Sequence, residues 1–196
     1  MAPATPVDPA PAGDHPPYRV CIVGAESTGK TTLSAMLAAA FATTWVPEYG
    51  RIYTIPKDAA GEEWTTADFL HIARMQRELE DRALPRANGF LVCDTDALMT
   101  ALWHEKYLGE RSPEVEAIAR THTYDLTLVA GTDIPWVDDG FRDSDAARKH
   151  MQARLWEELA WRPEPIVEVR GSFVARVDQA ADAIARHLGI RRPTGG

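Results

Sequence analysis

The sequence predicts a three-layer α/β fold, in which a parallel five-stranded sheet lies between two layers of helices. Three observations support this prediction. Five short apolar runs alternate with segments of helical character, and this order implies parallel strands joined by helical crossovers. A glycine-rich stretch directly joins the first run to the first helical segment. The chain of 196 residues is long enough for one domain with a full core, and it shows no internal repeat.

The predicted strands are the five apolar runs, whose length and composition suit strands that are buried on both faces of a sheet. The second run leads into a turn that contains proline. In chain order the runs are YRVCIVG (18–24), TTWV (43–46), GFLVCD (89–94), YDLTLVA (124–130) and EPIVEV (164–169).

The predicted helices have strong helix formers or apolar residues at helical spacing. Thr65 or Thr66 can cap the predicted helix at 65–84, and Gly109 suits the end of the predicted helix at 97–109. Ser112 and Pro113 suit the cap and the first position of another helix. The six predicted helices span residues 31–42, 65–84, 97–109, 112–122, 145–161 and 173–189.

The composition limits where the protein acts and what it binds. Residues 1–17 contain six prolines and are expected to be a disordered leader, so the folded domain is predicted at 18–190, followed by a frayed tail at 191–196.

A net charge of -8 disfavours nucleic acid and anionic membranes as partners. The sequence has neither a membrane-spanning apolar stretch nor a signal peptide, so we expect a cytoplasmic protein. Cys21 and Cys93 lie in apolar runs, which predicts buried, reduced thiols.

The stretch GAESTGKT (24–31) matches the phosphate-binding pattern G-x-x-x-x-G-K-[ST] between a strand and a helix. Its glycines allow successive backbone N–H groups to point at phosphate, and the helix that follows offers its positive end to the same anion. Lys30 can reach the β- and γ-phosphates of ATP, and the Thr31 hydroxyl can ligate Mg²⁺. The predicted nucleotide-binding residues are Gly24, Ala25, Glu26, Ser27, Thr28, Gly29, Lys30, Thr31 and Thr32.

Two carboxylates follow the third predicted strand, in DTD (94–96). Ligands of open α/β sheets gather at the carboxyl ends of the strands, so Asp94 is expected on the same edge as the phosphate loop. It can hold Mg²⁺ together with Thr31, or accept a proton from an attacking hydroxyl. Asp96 can point into the same cleft and bind a sugar hydroxyl. Alternatively, either residue caps the helix that follows.

The remaining motifs indicate the class of phosphate-binding protein. The chain lacks the N-K-x-D motif of signalling GTPases and is short for a motor or an AAA-type ATPase. With its charged segment DIPWVDDGFRD (133–143) after the fourth strand, the chain resembles the nucleoside and nucleotide kinases, which predicts a P-loop kinase fold. In those enzymes this segment is a lid whose arginines meet the transferring phosphoryl group. Arg142, helped by Arg148, is the predicted lid cation.

A narrower resemblance rests on four motifs taken in order: GAESTGKTTL, PEYGR, DTDALMTALWHEKYLG and YDLTLVAGTDIPWVDDGFRD. Together they resemble the kinase domain of the NadR-type ribosylnicotinamide kinases over roughly residues 18–175. The resemblance implies that ATP and Mg²⁺ are cofactors and that nicotinamide riboside is phosphorylated to nicotinamide mononucleotide. It also implies that Lys30, Asp94 and Arg142 act in catalysis.

The chain departs from that family in two places. The adenylyltransferase domain of bacterial NadR proteins and its H-x-G-H signature are absent from the sequence, so a second activity in this chain is not expected. Enterobacterial members also have tryptophan directly before E-Y-G-R, where this chain has Pro47, with Trp45 two residues earlier.

The expected acceptor pocket follows from the chemistry of nicotinamide riboside, whose flat cationic ring suits aromatic faces and carboxylates. The predicted substrate contacts are Trp45, Glu48, Tyr49, Arg51, Asp96, Trp136, Asp138 and Asp139. Trp45 could instead be a core residue, and the segment at 48–51 a solvated turn. Gln76 lies on the helix expected to face this pocket, although the same pattern suits an ordinary amphipathic helix. Residues 171–176 are the expected adenine site.

Two other functions remain open at this point. One is phosphorylation of a different nucleoside or small metabolite. The other is a binding or regulatory module that hydrolyses ATP slowly, which the charged segment at 133–143 disfavours, since such a module needs no phosphoryl lid.

Overall fold

The computed structural model describes residues 16–121, 123–135 and 144–191. Four predicted site residues, Trp136, Asp138, Asp139 and Arg142, lie outside the described residues.

The five predicted strands form one parallel sheet in the order β2-β3-β1-β4-β5. Helices pack on both faces of this sheet, so the predicted three-layer α/β fold is confirmed. The strands are β1 (Tyr18–Val23), β2 (Trp45–Val46), β3 (Phe90–Asp94), β4 (Leu126–Ala130) and β5 (Ile166–Val169).

All six predicted helices are present, and the structure adds a seventh, α2, where the sequence analysis expected only a turn. Within α2 only Lys57 is buried, so little of this helix belongs to the core. It also contains Pro56, which favours a turn over a helix in sequence. The helices are α1 (Lys30–Ala40), α2 (Tyr49–Ala60), α3 (Thr66–Ala83), α4 (Ala97–Leu108), α5 (Pro113–Thr121), α6 (Asp145–Leu159) and α7 (Phe173–Leu188).

The core has two parts, one on each face of the sheet, because neighbouring strand residues point to opposite sides. On one face Cys21 and Val23 pack with residues of α3 to α6. On the other face Val20 and Ile22 pack with residues of α1 and α7. Cys21 and Cys93 are buried free thiols, as predicted. Burial raises the pKa of both thiols, which keeps them protonated and unreactive.

The sheet order determines where the site lies. Because all five strands are parallel, the loops after their carboxyl ends meet at one edge of the sheet. The central strand β1 leads into the glycine-rich loop, and β3 beside it ends at Asp94. Within the described residues, no helix combines the length and the apolar character needed to cross a bilayer.

Candidate active site

A cleft of about 870 Å³ opens at the carboxyl edge of the sheet. One part of it is lined by the glycine-rich loop and by the start of α1, and we call this part the phosphate half. The other part is lined by side chains of α2, α3 and α4 together with Trp64, and we call it the acceptor half.

The backbone of the glycine-rich loop adopts the open form that phosphate binding requires. Gly24 has a φ of 151°, and a Cβ there would meet the Ala130 oxygen at 2.8 Å, so β4 approaches too closely for any side chain. Gly29 has a φ of 80° and forms the N-cap of α1 without a side-chain cap. The first N–H groups of α1 are therefore free to bind an anion.

Lys30 lies at the centre of the phosphate half. Its ammonium is buried and donates to the Ala25 carbonyl oxygen at 2.9 Å, and the Thr28 hydroxyl donates to that same oxygen at 2.8 Å. Burial lowers the pKa of Lys30, while the neighbouring carboxylates of Glu48 and Asp94 act in the opposite direction. A cation that has lost most of its water is a strong partner for a phosphate group.

Asp94 is fully buried at the end of β3, next to Ile22 of β1. Neither of its carboxylate oxygens has a partner in hydrogen-bonding geometry among the described residues. Burial raises its pKa, and the nearby Thr31 hydroxyl and Lys30 ammonium reduce that rise. Oxygen donors of this kind suit Mg²⁺, so the Asp94 carboxylate and the Thr31 hydroxyl fit the metal that a phosphate loop uses.

Asp96 is not part of the cleft, contrary to the expectation that it points there. One of its oxygens accepts a hydrogen bond from the Met99 N–H at 3.1 Å, which caps α4. The other forms a buried ion pair with Arg162. The capping alternative is therefore the correct one for Asp96, and we do not retain it as a substrate contact.

Trp45 also lies outside the cleft. It belongs to β2 and packs against the core on the α1 and α7 face of the sheet. The core alternative is correct for this residue, because the pairing of β2 with β3 places Trp45 beside Val92. We therefore do not retain Trp45 as a substrate contact.

The other three predicted contacts from this segment lie at the start of α2. Glu48 and Arg51 line the cleft and form an ion pair at 3.7 Å. Tyr49 does not line it: the Tyr49 hydroxyl pairs with the His71 ring nitrogen at 2.9 Å. The Tyr49 N–H donates at 2.9 Å to the side-chain oxygen of Gln76, which is buried and lines the cleft. Gln76 therefore fixes the position of the first turn of α2.

Sequence reasoning missed the aromatic wall of the acceptor half. The Tyr107 ring lies 5.5 Å from Trp64 and 6.1 Å from Trp103, and Trp64 lies 5.1 Å from Phe69. The Lys106 ammonium sits 4.6 Å from the centre of the Trp103 ring, so this wall already holds a cation within the chain. The i, i+4 spacing of Trp103 and Tyr107 on a predicted helix was the available signal.

The region after β5 adjoins the phosphate half, as the adenine prediction requires. Phe173 lines the cleft and lies against Gly29, where an added Cβ would meet its ring at 2.8 Å. Arg176 is buried and donates to the carbonyl oxygens of Thr28 at 3.1 Å and Gly131 at 3.0 Å. The same guanidinium pairs with Asp133 at 2.6 Å.

Arg148 does not line the cleft and has a different role from the one predicted. Its buried guanidinium donates to the carbonyl oxygens of Thr132 and Ile134 and pairs with Asp145 at 2.6 Å. Because the guanidinium N–H groups of Arg148 donate to carbonyl oxygens of the segment after β4, we do not retain Arg148 as a partner of the phosphoryl group.

Comparison with known proteins agrees with this geometry. A family model described as an AAA domain matches residues 19–176. The chain belongs to this AAA-domain family.

The relatives of this AAA-domain chain include two NadR proteins. The trifunctional NAD biosynthesis/regulator proteins NadR of Escherichia coli and Salmonella typhimurium are each 37% identical to it over 144 residues, which is 71% of this chain. The resemblance to NadR noted in the sequence is thus confirmed. The match covers 35% of each NadR protein, so the chain spans about a third of the length of these curated relatives.

Solved structures support the fold. A NadR protein in complex with NR aligns with a TM-score of 0.74 and 24% identity, covering 93% of this chain and 54% of that one. A deoxyadenosine kinase from M. mycoides aligns with a TM-score of 0.58 and 8% identity, covering 86% and 99% of the two chains. At these identities the likeness concerns the fold, which is that of a P-loop kinase.

Proposed function

We propose that the protein transfers the γ-phosphoryl group of ATP to the 5′-hydroxyl of nicotinamide riboside, giving nicotinamide mononucleotide and ADP in NAD salvage. One observation carries the proposal: a single cleft joins a phosphate loop to an aromatic wall. The buried carboxylate of Asp94, which has no hydrogen-bond partner among the described residues, lies beside this cleft at the end of β3. The identity of 37% to two NadR proteins supports the choice of substrate.

The phosphate half would hold the nucleotide. The N–H groups of residues 24–32 and the Lys30 ammonium would bind the phosphates of ATP, and Phe173 would lie beside the adenine. Thr31 and Asp94 would hold Mg²⁺, which neutralises charge on the β- and γ-phosphates when it is bound. Lys30 then stabilises the negative charge that develops on the phosphoryl oxygens.

The acceptor half would hold the nucleoside. A pyridinium ring is a flat cation, and the faces of Trp64, Trp103 and Tyr107 suit such a group. The Glu48 carboxylate also lines the cleft, where it forms an ion pair with Arg51. A neutral nucleoside would keep the stacking but lose the electrostatic attraction.

Asp94 is the proposed acceptor of the proton from the attacking hydroxyl. Its pKa is raised by burial, which makes the carboxylate a better base than an exposed aspartate. Arg142, together with Trp136, Asp138 and Asp139 in the charged segment at 133–143, stays a prediction from the sequence. We infer that the protein acts in the cytoplasm. Its net charge of -8 favours a small molecule over nucleic acid as its partner.

A panel of nucleosides tests the proposal. ADP release is measured with MgATP and, in turn, nicotinamide riboside, adenosine, cytidine, uridine and no acceptor, and the product is identified by mass spectrometry. We expect turnover with nicotinamide riboside to exceed that with each neutral nucleoside by at least about tenfold. Faster turnover of a neutral nucleoside would assign the cleft to a different kinase. ADP release that no nucleoside increases would instead favour a regulatory module.

A further inference from the structure

Thr95 occupies an unusual position between Asp94 and Asp96. It lines the cleft, yet only 5% of the residue is exposed. Its hydroxyl oxygen is buried and has no hydrogen-bond partner among the described residues. A buried hydroxyl is normally paired, and one that faces a cleft without a partner is suited to bind a ligand there.

The backbone of Thr95 is strained. Its φ of 69° lies in the left-handed region, which a β-branched residue rarely adopts. Ser27 and Ala42 share this region, but Ser27 belongs to the phosphate loop and Ala42 to the turn after α1. Strain that is kept at a cleft is a reason to look for a function of the side chain that it orients.

Contacts on both sides hold Thr95 in this conformation. Its N–H donates to the Ile22 oxygen at 2.9 Å, and the Cys21 thiol lies 3.7 Å from its carbonyl oxygen. The next residue, Asp96, is fixed by the Met99 N–H and by the buried Arg162. The ion pair that takes Asp96 out of the cleft therefore helps to hold Thr95 at the cleft.

We propose that the Thr95 hydroxyl binds the acceptor substrate, donating a hydrogen bond to the hydroxyl oxygen that attacks the γ-phosphorus. This inference rests on the proposed kinase function. Thr95 follows Asp94 directly and precedes α4, whose Met99 and Trp103 line the acceptor half. It therefore lies at the junction of the two halves, where the acceptor hydroxyl must meet the phosphoryl group.

The proposed contact is compatible with the chemistry of the transfer. The acceptor hydroxyl gives its proton to Asp94, and its oxygen forms the new bond to the γ-phosphorus while the bond to the bridging oxygen of ADP breaks. That oxygen has two lone pairs. If Thr95 binds one of them, the other is directed at phosphorus, so Thr95 orients the attack.

Three substitutions of Thr95 test this. Thr95→Val removes the hydroxyl at constant shape, Thr95→Ser keeps the hydroxyl, and Thr95→Gly removes it while relieving the strain. Initial rates are measured with nicotinamide riboside and ATP varied separately, alongside the Tm. We expect kcat/KM for nicotinamide riboside to fall about tenfold or more in the Val and Gly variants and by less than about threefold in the Ser variant, with the KM for ATP nearly unchanged.

The variants also separate this inference from a purely structural role. The Gly variant is expected to keep the Tm of the wild type or exceed it, so its loss of activity cannot come from unfolding. Wild-type kcat/KM in the Val variant, or a KM for ATP that rises as much as the KM for the nucleoside, would overturn the inference.

The same measurements distinguish failure of the proposed kinase function from failure of the role proposed for Thr95. If the wild type phosphorylates a different nucleoside, only the proposed substrate fails, and the Thr95 series is run with that nucleoside. If the wild type phosphorylates none, the kinase function and the role of Thr95 fail together. If nicotinamide riboside is phosphorylated and the Val variant is unaffected, the role of Thr95 fails alone.

Discussion

The two halves of the cleft are built from different parts of the chain. The phosphate half consists mainly of backbone from one short stretch, and its shape depends on positive φ at Gly24, Ser27 and Gly29. The acceptor half consists of side chains from α2, α3 and α4, which only folding brings together. A wall of side chains can be altered one residue at a time, whereas a backbone cradle cannot. We therefore expect changes in the phosphate half to reduce turnover with every acceptor, and changes in the acceptor half to alter which acceptor is used.

The largest expected effect is that of Lys30→Ala in the phosphate half. Because Lys30 is buried in the phosphate half and is proposed to bind the phosphates of ATP, kcat should fall by about 10³-fold or more with every nucleoside. Lys30→Met keeps the aliphatic stem and serves as the matched variant, with circular dichroism confirming that both are folded. If either variant keeps more than a tenth of the wild-type kcat, the role of Lys30 is wrong.

Asp94→Asn is expected to lower kcat by about 10²-fold or more, since the amide cannot accept the proton. It should also stabilise the ligand-free protein, because the buried carboxylate has no hydrogen-bond partner among the described residues. At pH 7 we expect a gain of about 1 kcal/mol in the free energy of unfolding, or roughly 2–4 °C in Tm.

The stabilisation by Asp94→Asn should depend on pH in a defined direction. The pKa of Asp94 is raised in the folded state, so the folded wild type binds more protons than the unfolded chain and loses stability as pH rises through that interval. The difference in Tm between variant and wild type should thus shrink as pH is lowered towards 4 and below. A difference that grows on acidification would contradict the assignment of an unpaired carboxylate.

The smallest expected effects are those of substitutions at two tryptophans, one in the acceptor half and one in the core. Trp103→Leu should raise the KM for nicotinamide riboside about tenfold and leave the KM for ATP unchanged, because a cation–π contact is lost. Trp45→Leu is the matched control in the core, and it should lower the free energy of unfolding by roughly 1–3 kcal/mol with little change in either KM. Equal effects of the two substitutions on KM would remove the distinction between the acceptor half and the core.

Prediction from sequence succeeded where neighbouring residues determine the structure. The strand, glycine-rich loop and helix around Lys30 form one continuous pattern, and the predicted sheet and its parallel strands are confirmed. The buried end of β3 likewise placed Asp94 on the correct edge. In both places the local pattern alone decides where the side chain lies.

Prediction failed where distant residues decide. Asp94 and Asp96 both follow an apolar run, and the local sequence gives no reason to treat them differently. They differ because Asp96 forms an ion pair with Arg162, which lies 66 residues later in the chain. Trp45 and Trp103 are both tryptophans near predicted site segments. Trp45 packs against the core on one face of the sheet, whereas Trp103 lies on α4 and lines the cleft. Helix α2 was missed because it contains Pro56, a residue that favours a turn over a helix in sequence.

The contacts of Arg176 have a consequence for how the site forms during synthesis. The phosphate loop lies near the start of the domain, yet the carbonyl oxygen of its Thr28 is held by a guanidinium 148 residues later, on the last helix. Gly131, after β4, is held by the same group. A nascent chain emerges from the ribosome N-terminus first, so the loop is exposed well before α7 is available to support it. The nucleotide site would then be completed only after α7 has emerged, and a chain that stops before α7 would lack this support.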